Sequence, residues 1–251
     1  MDGRYLQRRR PGIYPKEFPW SWALIFPTIV YLSMWKMKVS HYPALFRGRS
    51  LPVPKEIPEK ADRIAAIVKN KSKIKVLEAK KAKEMLPYSE GIFELINESY
   101  KDLFGFVPLS KKQIQKYIKQ YFGFINPDYV KILLDNENKV AGFVIGMPSL
   151  TNALQKSKGK LFPFGFIHLL KALKKNNKYV DLYLGAIRPD LQGKGADALL
   201  MTEFTKSCIK NKIISAESNI ELETNVQVQG HWKYYDSRQH KRRRCYIKKL
   251  N

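Results

Sequence analysis

The sequence predicts a mixed α/β domain, and three observations carry that expectation. An apolar, β-branched stretch, Val180-Asp181-Leu182-Tyr183-Leu184-Gly185-Ala186-Ile187, runs through Arg188-Pro189-Asp190-Leu191 into Gln192-Gly193-Lys194-Gly195. Leu200, Phe204 and Cys208 then recur at the four-residue spacing of one helix face. Two strand-like runs, residues 129–134 and 140–147, are joined by Asp135-Asn136-Glu137-Asn138, a hairpin signal. Two upstream segments carry apolar residues at helical spacing: Ile92, Phe93, Ile96, Tyr100 and Leu103, then Ile114, Tyr117, Ile118 and Tyr121. A length of 251 residues with 44% hydrophobic content is enough to bury a sizeable core.

Residues 1–54 read differently and are expected to form an irregular N-terminal segment or the remnant of a preceding domain. Arg8-Arg9-Arg10 precedes an apolar run over residues 20–35. That run holds Pro27 in its middle and falls short of the roughly 20 residues of a membrane span. Lys36 and Lys38 follow it, where a signal peptide would place small residues. Pro43, Pro52, Pro54 and Pro58 with Gly48 mark a linker, so the folded domain is taken as residues 55–251. Within it, helical spacing appears over residues 59–68 and a strand over residues 74–77. Ser89 opens the next helix and Gly105 ends it. Ser110 and Gln113 form a capping box for the helix that follows, because the hydroxyl can accept the third helical N–H while the amide reaches back. Beyond the glycine-rich segment, strands are expected over residues 219–223 and 241–249.

Strand, glycine loop and helix together make an anion site. Glycines let the backbone approach a ligand, and the unpaired N–H groups of the first helical turn point at it with the helix dipole behind them. A dinucleotide fingerprint would place its third small residue at Ala198 and would need a parallel sheet with crossover helices. A P-loop would need a lysine and a hydroxyl where Ala196 and Asp197 stand. The segment resembles instead the pyrophosphate-binding motif (Q/R)-x-x-G-x-(G/A) of the GNAT superfamily of acyl-CoA N-acyltransferases. Gln192 and Gly195 match it, and Ile187-Arg188-Pro189 matches the V-x-P-like turn before it. Asp197 departs from the final small position. Its carboxylate favours the helix but would repel a bound diphosphate unless it points away or pairs with Lys194.

The resemblance implies a GNAT-like fold: a central mixed, mostly antiparallel sheet with helices on both faces. The element order agrees with it. Where the family joins its third and fourth strands by a tight hairpin, about 30 residues intervene here between Met147 and Lys178, so a helical insert is expected. It reads either as helices packed on the sheet edge or as a lid or acyl-chain pocket. His168 within it reads as a core histidine.

The implied activity is acyl-CoA-dependent N-acyl transfer, of acetyl or a longer acyl group, by direct attack of an amine on the thioester. The resemblance implies that the backbone at Ala186 and Ile187 pairs with the pantetheine arm and that Gln192, Gly193, Lys194, Gly195 and Ala196 bind the diphosphate. Asn225 matches the asparagine that follows the splayed strand, although the helix over residues 229–235 lacks the usual L-Y-x-x-x-G-F ending. Tyr235, with Tyr234 second, is the candidate to protonate the leaving thiolate. Glu221 is the candidate base, with Glu223 and Asp181 as alternatives. No metal site is expected.

Lys and Arg number 46 against 22 Asp and Glu, a net charge of +24 with a pI near 9.9. This favours anionic partners such as coenzyme phosphates or an anionic membrane surface, or is simply a lysine-rich soluble surface. Nucleic acid ranks lowest, since strand alternation would split the basic run at residues 241–244 between two faces. The acceptor is expected to be a small-molecule or lipid-like amine. Two distant cysteines without metal spacing fit a reduced, cytoplasmic protein, soluble or membrane-peripheral. The alternative function is a non-catalytic GNAT-like module that binds an anionic lipid or protein partner.

Overall fold

Among the described residues, eight strands form one sheet: β1 Leu45–Pro52, β2 Lys75–Val76, β3 Val130–Leu134, β4 Val140–Pro148, β5 Tyr179–Ile187, β6 Ser215–Ser218, β7 Glu221–Leu222 and β8 Arg238–Arg244. The computed structural model describes residues 45–244 apart from residues 73, 161, 175 and 176. The apolar run at residues 20–35 and Cys245 lie outside the described residues. Helices are α1 Glu59–Lys71, α2 Ala82–Met85, α3 Ser89–Tyr100, α4 Lys111–Tyr121, α5 Thr151–Lys156, α6 Gly165–Lys174, α7 Ala196–Lys210 and α8 Val226–His231.

From β2 to β5 the strands pair antiparallel in chain order. β5 and β6 pair parallel across the α7 crossover. The hairpin closes as its sequence predicts: Asp135 N–H donates to the Lys139 carbonyl, Asn138 N–H to the Asp135 carbonyl, and Asn138 adopts φ 60°. The capping box of Ser110 and Gln113 also forms. The expectation of a mixed, mostly antiparallel sheet with helices on both faces holds. On one face α7 and α1 cover Leu133, Val144, Val180, Leu182 and Ile187. On the other, α3 and α4 cover Ile132, Leu134, Phe143 and Ala186. Each fully buried side chain of this kind contributes about 1.5–3 kcal/mol. Phe204 of α7 seats against Gly146 of β4, where an added Cβ would stand 2.9 Å from its ring.

Two expectations change. Residues 47–52, assigned to a linker, belong to β1. One edge of β1 pairs with β6 and β7 in turn, and the other pairs with β8. The boundary at residue 54 therefore cuts through the sheet; prolines misled because Pro52 ends a strand rather than breaking one. The strand expected at residues 219–223 begins earlier, at Ser215, and is interrupted at Asn219 and Ile220. β6 lies beside β5, while β7 lies beside β1 alone. The insert between β4 and β5 is helical as expected: α5 and α6 pack on each other, and α6 touches β4.

Candidate active site

β5 and β6 pair only from Tyr179 to Leu182 and from Ser215 to Ser218, with Asn219 N–H making a last bond to the Leu182 carbonyl. Beyond that point β5 continues to Ile187 while its neighbour turns away to β1, so a slot opens through the sheet. The register decides which groups line it. Arg188 N–H donates to the Ala141 carbonyl, so Ala186 faces Phe143 in a hydrogen-bonded pair. Ala186 spends its backbone groups on β4, and Gly185 and Ile187 present theirs to the slot. Ala186 thus offers no backbone group to the slot, contrary to expectation, whereas Ile187 does.

Two slot-facing carbonyls already hold donors. The Gln192 Nε2 donates to the Ile187 carbonyl at 2.9 Å, which pins the glycine loop to the strand end. The Tyr100 hydroxyl donates to the Gly185 carbonyl at 2.8 Å, and burial raises its pKa to about 12, so it stays a neutral donor. The N–H groups of Gly185 and Ile187 face the same gap.

Arg188 anchors the turn by pairing with Asp135 of the hairpin and with Asp190, each at 2.7 Å. Gly193 and Gly195 have φ of 70° and 84°, the left-handed region that glycine enters freely. Gly193 and Lys194 are exposed, and nothing lies within 4 Å of the Cβ position at Gly193, so the loop is open. Gly195 sits against α1, where an added Cβ would stand 2.8 Å from Val68 and 3.0 Å from Ile64. Leu199 N–H makes the first bond of α7, to the Gly195 carbonyl; before it, the Gln192 and Lys194 amides donate to the Pro189 and Leu191 carbonyls, and the Asp197 and Ala198 amides face the Asp197 carboxylate. Ala196 is the first helical residue.

Asp197 pairs not with Lys194 but with His231 at the end of α8, at 3.0 Å. His231 holds the Asp197 carboxyl below its usual pKa, helped by the backbone amides of Asp197 and Ala198. The carboxylate bridges α7 and α8, the two elements that flank the slot on this face, while drawing on the Asp197 and Ala198 amides of the first helical turn. Cavities of about 30 and 20 Å³ lie beside α7; Met201 and Tyr235 line both, with Leu182 in the first and Asp197 and His231 in the second.

Tyr235 follows the short turn after α8. Its hydroxyl is buried beside Thr202 and Thr205 without reaching hydrogen-bonding geometry, and burial raises its pKa. A buried hydroxyl without a partner among the described residues is uncommon and calls for an explanation. Tyr234 is placed only by its backbone. Glu221 accepts from the Trp232 indole N–H at 2.9 and 3.1 Å, and burial raises its pKa. Glu223 pairs with Arg47 of β1. Glu221 thus ties β7 to the turn after α8, and Glu223 ties the end of β7 to β1. Asn225 caps α8, its side chain accepting from Val228 N–H.

Asp181 stands apart. It alternates with Val180 and Leu182, so it lies on the face opposite α7, one residue before the slot opens. Burial raises its pKa to about 6; Ser149 and Lys241 oppose that rise, and Glu217 adds to it. Tyr183, beside it, is also raised by burial. The sequence named Asp181 as an alternative but could not show its burial, which arises where Ser149, Glu217 and Lys241 gather around it. His231 and Tyr100 have no local sequence signal, since each meets a partner distant in the chain.

No family model matches the chain. It is similar to Protein YghO of Escherichia coli, 25% identical over 162 residues, 62% of this chain and 41% of that protein. It is also similar to the bacterial ceramide synthase of Caulobacter vibrioides, 31% identical over 81 residues, 32% of this chain and 21% of that one. The chain thus spans less than half the length of these curated relatives. Among solved structures it is similar to the GCN5-related glucosamine N-acetyltransferase region of a fungal multi-domain GH3 β-N-acetylglucosaminidase. That match has a TM-score of 0.49 and 8% identity, and covers 87% of this chain and 22% of the other. The mixed, mostly antiparallel sheet with helices on both faces agrees with the fold that the sequence resemblance implies.

Proposed function

We propose that the protein is an acyl-CoA-dependent N-acyltransferase. The observation that carries this reading is the edge of β5 left unpaired by β6 beyond Leu182 and ending on an open glycine loop. An acyl-CoA would lay its diphosphate on the amides of the loop and first helical turn and its pantetheine arm along Gly185 and Ile187 on the α7 face. The amine would arrive from the opposite face, beside Asp181. Asp181 takes a proton from the ammonium, directly or through one water, at a pKa suited to that task near neutrality. The free amine attacks the thioester carbon, and the C–S bond breaks as the C–N bond is completed. Tyr235 passes its proton to the departing sulfur and is reprotonated as the nitrogen loses its second proton. A free N–H of the β5 edge stabilises the oxyanion. The similarity to a bacterial ceramide synthase supports a lipid-like acceptor.

Calorimetric titration with acetyl-CoA and longer acyl-CoAs tests the reading: saturable uptake of at least one is expected, and uptake of none overturns it. Tyr235→Phe should then lower kcat while leaving acyl-CoA affinity unchanged. Unchanged kcat would remove Tyr235 from the mechanism.

A further inference from the structure

Away from the slot, the insert exposes an unusual surface. Phe162 and Phe164 are 75% and 69% exposed, and Phe166, Ile167 and Leu170 of α6 join them. These side chains face solvent rather than the core. Such a cluster is seldom left without a partner. The charge around it is one-sided. Between Ser149 and Lys178 there are seven lysines and no aspartate or glutamate, and Lys156, Lys158, Lys160 and Lys171 are exposed around the aromatic tip.

We propose that the insert docks the protein on an anionic bilayer, the phenylalanines entering the interface and the lysines contacting acidic headgroups. Aromatic and aliphatic side chains within an insert that carries lysines and no carboxylate match the two layers of such a surface, apolar below and negative above. A protein partner would supply carboxylates at fixed points and would call for fixed, paired arginines; four scattered exposed lysines suit a fluid array of charge instead. Docking does not depend on the transferase reading, but one consequence does. Ser149, at the first end of the insert, lies beside Asp181, and Asn177, near its other end, donates to the Ser149 carbonyl. An acceptor amine carried by a membrane amphiphile would therefore reach the base from the docked side.

Co-sedimentation of the full chain with vesicles tests docking. Binding to phosphatidylcholine vesicles containing phosphatidylglycerol is expected, with little binding to pure phosphatidylcholine and loss at high salt. Phe162→Ser with Phe164→Ser should weaken binding by about tenfold or more per ring removed, and Lys156→Gln with Lys158→Gln and Lys160→Gln should remove much of the salt dependence. Equal binding to both vesicle types, or binding unchanged by the phenylalanine pair, overturns the proposal; the latter would place the contact elsewhere in the chain. Concentration-dependent dimerisation abolished by the same pair, without vesicle binding, would assign the surface to a second copy and also overturn it. Acyl-CoA titration of the same variants, expected unchanged, separates this outcome from a failure of the transferase reading.

Discussion

Asp181 and Asp197 show how two carboxylates of one sheet and one helix are driven in opposite directions. Burial raises Asp181 to about 6, so its ionised form is disfavoured in the fold. The base form is gained as pH rises through that value, and turnover should climb with an apparent pKa near 6. Asp181→Asn should remove that limb and lower kcat by about 10²- to 10⁴-fold with acyl-CoA affinity retained; a rate profile unchanged in shape would exclude Asp181 as the base. Asp197 is held below its usual value by His231. Its contribution to stability is therefore present above the unfolded carboxylate pKa and is lost as pH falls through the lower folded value. The pair is partly exposed, so Asp197→Asn should cost only about 0.5–1 kcal/mol at neutral pH. Because the carboxylate engages two first-turn amides and pins α8 over the slot, the same change should tighten acyl-CoA binding. Weaker binding would mean that the bridge organises the site.

The glycine loop separates two functions that its sequence merges. Gly193 projects into open space and Gly195 against α1. Gly193→Asn tolerates the left-handed backbone and should fold and bind coenzyme, whereas Gly193→Asp adds a negative charge at the anion site and should weaken binding strongly, by a margin that salt reduces. Gly195→Ala meets both a strained φ and the contacts with Val68 and Ile64, so it should lower stability by about 2 kcal/mol or more, visible as a fall in Tm. A larger side chain at Gly195 would unfold the site rather than report on it. Strand, loop and helix were legible here because β-branched runs, glycines and four-residue spacing are local signals. The slot itself was legible only through resemblance. Its opening depends on which edge β6 and β7 choose, and that choice is made by β1, more than 160 residues away in the chain. The engagement of Glu221 by Trp232 and the burial of Asp181 were illegible for the same reason, since both arise from contacts between elements.

At the scale of the whole molecule, the segment that looked least structured supports both sides of the slot. β1 backs β6 and β7 on the edge away from β5 and carries β8 on its other edge. α1, next in the chain, packs along α7 and closes on Gly195. Without β1, β6 and β7 would lose their shared neighbour, β8 would lose the strand it pairs with, and buried Phe46 and Leu51 would leave the core. The loss is a row of sheet hydrogen bonds plus two apolar side chains worth about 1.5–3 kcal/mol each, against a total stability of about 5–15 kcal/mol for a typical domain. Removal of residues 1–54 should therefore abolish cooperative unfolding, measured by calorimetry or circular dichroism, and acyl-CoA binding with it. Removal of residues 1–44 leaves β1 in place and should keep both. If the shorter chain starting at Lys55 melted with the Tm of the chain starting at Leu45, β1 would be an accessory strand, and the slot would have to be held open by β5, α7 and α8 alone.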